Sequence, residues 1–108
     1  MNQTEPVVVH KGRTNTLPVS LGVDVSGDTF TSQIRTHEST TSSLIATWTV
    51  SFLTDGTDGE LILKLDNSVT SLIVQKTGFM DIKRVSLGEP IPVFDAPLPV
   101  LFREAVTA

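Results

Sequence analysis

From Leu44 the apolar residues fall at every second position: Leu44, Ala46, Trp48, Val50 and Phe52 share one side, Ile45, Thr47, Thr49 and Ser51 the other. A period of two is the signature of a half-buried strand. The run Thr54-Asp55-Gly56-Thr57-Asp58-Gly59 breaks the pattern, which resumes as Leu61, Leu63 and Leu65 against Ile62, Lys64 and Asp66. Two strands around a glycine-bearing turn predict a hairpin over 44–65. Burying Leu44, Trp48, Val50, Phe52, Leu61, Leu63 and Leu65 stabilises a fold by roughly 1.5–3 kcal/mol per side chain, so this hairpin is expected to supply much of the core.

The flanking segments carry weaker versions of the same period. Residues 1–5 are polar and read as a loose arm. Pro6-Val7-Val8-Val9-His10 is a β-branched run whose leading proline predicts an edge strand. Residues 16–25 alternate Leu17, Val19, Leu21 and Val23, and after the turn Ser26-Gly27-Asp28 the segment 29–35 places Phe30 and Ile34 inward. The polar stretch 37–43 predicts a loop. After Leu65, Asn67 or Ser68 could cap a brief helical turn ahead of Leu72; a plain turn fits as well. Residues 78–85 alternate again, with Met80 and Ile82 on one face and Phe79, Asp81 and Lys83 on the other. The closing segment, 90–108, interleaves Pro90, Pro92, Pro97 and Pro99 with apolar residues, which predicts two edge segments at 91–94 and 98–103. About seven short strands at turn spacing predict an all-β chain, a single small antiparallel β-sandwich spanning residues 1–108.

A length of 108 residues suits one domain with one core. With no cysteine, thiolate chemistry and disulfides are excluded, which is compatible with a reducing cytoplasm. The net charge of −4 and the scattered basic residues argue against a surface that tracks nucleic acid. No charged start leads into a long apolar run, and no stretch reaches membrane-spanning length, so neither export by a signal peptide nor a membrane anchor is expected.

Candidate chemistry is sparse. A nucleophile–base set needs an oriented histidine, and His10 and His37 fall on a strand end and in a polar loop. The run from Asp55 to Glu60 has the look of a calcium loop, yet Gly59 stands where an oxygen ligand is needed, so a hairpin turn is the better reading. Asp81 lacks a partner acid, and Gly12, Gly22 and Gly27 are too widely spaced for a phosphate cradle. Trp48, inside an unbroken inward alternation, reads as core and not as a stacking platform. No catalytic residue, cofactor or metal is therefore expected. The apolar surplus remains: Val7, Val8, Val9, Leu72, Ile73, Pro97 and Pro99 either complete the core or meet a partner protein.

One stretch carries a resemblance. Gly27-Asp28-Thr29-Phe30-Thr31-Ser32-Gln33-Ile34-Arg35 is similar to a G-x-T-F-x-x-Q-I-R start found in tailed-phage structural proteins. A strand like Ala46-Thr47-Trp48-Thr49-Val50 follows, then a glycine with alternating leucines, matched by Gly59, Leu61, Leu63 and Leu65. Thr70, the strand Phe79-Met80-Asp81-Ile82, the turn at Gly88, Leu98 to Phe102, and Val106-Thr107 complete the order. Phe79-Met80 stands where the family usually has tyrosines. The chain thus resembles the immunoglobulin-like N-terminal domain of phage baseplate upper proteins.

That resemblance implies an immunoglobulin-like sandwich and a non-enzymatic virion component made in the bacterial host cytoplasm. Its partners would be other virion proteins of the tail or baseplate, met through sheet edges and apolar segments, with the chain a homo-oligomer within the particle. Capsid decoration is the alternative, and a receptor- or carbohydrate-binding module a further one. Aspartates at Val8 and Ile73 are then expected to leave the fold intact and abolish assembly.

Overall fold

The computed structural model of the chain describes residues 6–94 and 96–104. The expected arm at 1–5 and the closing pair Val106-Thr107 lie outside the described residues. Eight strands and one short helix follow in order: β1 (Val7–His10), β2 (Asn15–Ser20), β3 (Thr29–Arg35), β4 (Leu44–Phe52), β5 (Glu60–Leu65), α1 (Asn67–Thr70), β6 (Thr77–Ser86), β7 (Glu89–Pro92) and β8 (Leu98–Arg103). The protein is all-β, as the alternation predicts. Its strands form one sheet of mixed orientation in the order β1-β8-β6-β3-β4-β5-β2, with β7 also paired to β6.

The central hairpin bends this sheet around its core. β4 pairs with β3 through Ala46, Thr47 and Trp48, then changes neighbour and pairs with β5 through Thr49, Val50, Ser51 and Phe52. One strand with two successive partners curls the sheet into a nearly closed, barrel-like form. Ile34, Trp48, Leu61, Leu63, Leu65, Met80, Ile82 and Val100 are buried inside it. Phe30 meets Phe52 edge to face, with ring centroids 6.3 Å apart. Ser32 sits among these apolar groups because its hydroxyl donates to the Asp81 carbonyl at 2.7 Å.

Several expectations need correction. Leu44 is half exposed and outside the core. The β3–β4 register shifts between Ile34 and Arg35, which face Ala46 and Leu44, so Ile45 is the extra residue of a bulge. Alternation inverts there, and Ile45 packs against the core in place of Leu44. The extended segment 16–25 ends early: β2 stops at Ser20, Gly22 turns the chain at φ +71°, and Val25 is buried while Val23 is exposed. Asp66, not Asn67 or Ser68, occupies the helix N-cap position, without a side-chain cap hydrogen bond.

The C-terminal strands differ most. The sheet is not wholly antiparallel, because β1 runs parallel to β8. Nor is β8 an edge, since it lies between β1 and β6. It tolerates Pro99 for a definable reason. Phe102 donates its amide to the Lys76 carbonyl at 2.9 Å, so by alternation the Pro99 nitrogen points away from β6, toward β1. The β1 ladder begins one residue later, at Val7 opposite Val100, and so requires no amide from Pro99. The strand expected at 91–94 lies instead at Glu89–Pro92, and Phe94 beyond it is buried.

Candidate docking surface

The outward side of the sheet collects part of the apolar surplus. In β1, Val9 is fully buried and Val7 packs against the core, which leaves Val8 on the outside at 37% exposure. Val8 stands opposite Leu101 of β8, and Pro99 stands opposite Phe79 of β6. Phe79 in turn faces Arg35 of β3. These outward residues form an apolar strip across neighbouring strands, with Pro97 at its end. Gln33, Arg35, His37, Asp81, Phe79 and Pro97 all line a groove of ≈ 120 Å³ there. That volume is well below the roughly 300 Å³ at which small-molecule pockets begin, so the groove belongs to a contact surface and not to a substrate cavity.

The groove has an ordered polar side. Arg35 donates to the Ser42 carbonyl at 2.7 Å and to the Gln33 side-chain oxygen at 2.9 Å. These bonds lay the guanidinium along the face and tie the loop after β3 to it. The exposed His37 has its Nδ1 3.1 Å from the Thr36 hydroxyl.

A second apolar region sits on the connector around α1. Thr70 is fully buried and donates its hydroxyl to the Arg13 carbonyl at 2.6 Å, which pins the helix to the turn between β1 and β2. With Thr70 held inward, Ile73 falls into the core at 7% exposure, while its neighbours Leu72 and Val74 stand out at 79% and 81%. Val69 adds a third exposed aliphatic.

Of the seven sequence candidates, Val8, Pro97 and Pro99 come together on the sheet face, and Leu72 stands apart on the connector. Val7, Val9 and Ile73 serve the core. An aspartate at Ile73 would therefore bury a carboxylate, and the expectation that it spares the fold does not stand. Sequence reasoning counts Val74 and Leu101 within the apolar surplus and sets Phe79 on the polar face of its strand, without choosing any of the three as a contact residue. Phe79 was already out of place, an aromatic in register with Asp81 and Lys83.

The acidic turns serve the fold. Asp55 accepts from the Thr57 hydroxyl at 2.6 Å and from the Thr57 amide at 3.0 Å, and these bonds hold its carboxyl below the usual range. Asp24 accepts from the amide and hydroxyl of Ser26, which lower it likewise against the opposing charge of Asp55. Asp58 accepts from the Glu60 amide and the Thr54 hydroxyl. The two loops interlock through backbone bonds from Leu21 to Gly59 and from Val25 to Gly56. Among the described residues no three His, Cys, Asp or Glu side chains gather as a group able to hold a metal, and no helix is long and apolar enough to cross a membrane.

No protein-family model matches the chain, and no curated protein is significantly similar to it.

Proposed function

We propose that this protein is a non-enzymatic structural subunit of a tailed-phage virion, an immunoglobulin-like assembly or adaptor module of the tail or baseplate that docks on other virion proteins. The immunoglobulin-like reading is supported by the strand order. β4 belongs to both a β1-β8-β6-β3-β4 set and a β4-β5-β2 set, as two layers sharing one continuous strand require, and the parallel β1–β8 pair joins the first and last of the described strands. The phage reading rests on the order of motifs from Gly27 onward.

The observation that carries docking is the connector, where Val69, Leu72 and Val74 expose three aliphatic side chains within six residues. A carbohydrate-binding module finds less support, because Trp48 is buried and Phe79, on the outward face, is itself half-buried.

The test is incorporation into particles. With the chain expressed in trans during infection by a phage lacking its own copy, purified virions should contain the wild-type protein at a fixed stoichiometry. The Leu72→Asp/Val74→Asp variant should remain folded and be depleted from particles at least tenfold. Wild-type protein absent from the virions would refute the assignment.

A further inference from the structure

Among the described residues three strands, β1, β2 and β7, have a side that no other strand covers. Along any strand the N–H and C=O of alternate residues point to opposite sides, so one fixed hydrogen bond decides which residues face the open side. On β2 the anchor is Leu21, whose amide donates to the Gly59 carbonyl at 2.9 Å. Counting back by twos, Leu17 and Val19 face β5, while Thr16, Pro18 and Ser20 face outward. On β7 the anchor is Val93, whose amide reaches the Ile82 carbonyl at 3.2 Å. Glu89 and Ile91 therefore face β6, and Pro90 and Pro92 face outward. On β1, Lys11 donates to the Arg103 carbonyl at 2.9 Å, so Val8 and His10 face outward.

The outward inventory of backbone donors is short. β7 offers none, since both outward residues are prolines. On β2 the two outward amides are separated by Pro18. On β1, both backbone groups of His10 are already taken by Asn15, whose side chain accepts from the His10 amide at 2.9 Å and donates to its carbonyl at 3.0 Å. Val8 alone is left to donate there. A strand added to a sheet needs donors at successive outward positions, and none of these edges provides an unbroken series.

We infer that the free edges of this sheet are closed against strand addition by Pro18, Pro90, Pro92 and the Asn15 clasp, so that the protein meets its partners through side-chain surfaces and not by lending a sheet edge. The placement is selective. Had the prolines stood one position along, at residues 17, 19 or 91, they would have broken ladder bonds within the sheet; where they stand they remove only donors that a foreign strand would use. This replaces the sheet-edge docking expected from the sequence, and it holds whether or not the chain is a virion part.

The test restores the donors. Pro90→Thr/Pro92→Thr alters a strand whose four residues are all exposed, so the core is untouched. Light scattering over a concentration series should show its weight-average mass rise at least twofold above that of the wild type at equal concentration. The new amides at 90 and 92 should exchange slowly with solvent in the associated form. Pro18→Thr should act in the same direction, and it carries the test alone if the double variant loses the Trp48 fluorescence of the folded state. Ile91→Thr, on the same strand but with its amide toward β6, adds no outward donor and should leave the mass unchanged. Proline variants whose mass follows the wild type, association with unprotected amides at 90 and 92, or equal association by Ile91→Thr would each overturn the inference.

Discussion

Trp48 offers a sharp test of how the core is held. Its side chain is 4% exposed, and its indole N–H is buried with no hydrogen-bond partner among the described residues. Two opposing effects follow from replacing it by phenylalanine. The smaller ring removes three heavy atoms, and at ~0.8 kcal/mol per methylene-sized group the lost burial costs about 2–2.5 kcal/mol. Deleting an unpaired buried donor returns about 1–3 kcal/mol. Trp48→Phe should therefore change stability by no more than about 1.5 kcal/mol, whereas Trp48→Ala, which forfeits the whole ring, should cost about 3–5 kcal/mol. Urea unfolding followed by far-ultraviolet circular dichroism measures both, because neither variant keeps the fluorophore. The slope with urea must match the wild type for the comparison to hold. A Trp48→Phe cost above about 2 kcal/mol at unchanged slope would refute the offset between lost burial and the relieved N–H.

The interlocked loops supply two further predictions. Gly59 has φ +76°, and a Cβ there would stand 2.5 Å from the Val23 carbonyl oxygen, whereas Gly22, at φ +71°, has nothing within 4 Å. Gly22→Ala should cost only the left-handed strain, about 1–2 kcal/mol, and Gly59→Ala should cost at least ~2 kcal/mol more; equal melting temperatures for the two variants would show that the loops yield freely. Asp24 and Asp55 are both held below their ordinary value of 3.8 by Ser26 and Thr57. Their contribution is complete above that ordinary, unfolded-state value and is lost as pH falls through the lower folded-state values. Asparagine keeps the acceptor and removes the proton, so Asp24→Asn/Asp55→Asn should flatten the acid limb of the urea midpoint plotted against pH, and an unchanged limb would contradict the assignment.

Period-two reading assigns the two sides of a strand only as far as the register is unbroken. β5 and β6 satisfy that condition, and Leu61, Leu63, Leu65, Met80 and Ile82 are buried as the alternation predicts. β4 does not satisfy it, because the bulge at Ile45 reverses the sides and nothing in Leu44-Ile45-Ala46 announces the extra residue. Proline is limited in a similar way. It rightly marks β1 and β7 as edges, yet β8, expected as an edge too, carries Pro99 inside the sheet, because what matters is which neighbour the missing N–H would have faced. The same limit governs the candidate surface. Val8 and Val9 are alike as residues, as are Leu72 and Ile73, and one member of each pair is exposed while the other is buried. For Val8 and Val9 the choice is made by the parallel ladder to β8; for Leu72 and Ile73 it is made by the hydroxyl of Thr70 reaching the Arg13 carbonyl. Both contacts join segments far apart in the chain. Composition can therefore announce surplus apolar surface in this protein, but only long-range pairing selects the residues that present it to a partner.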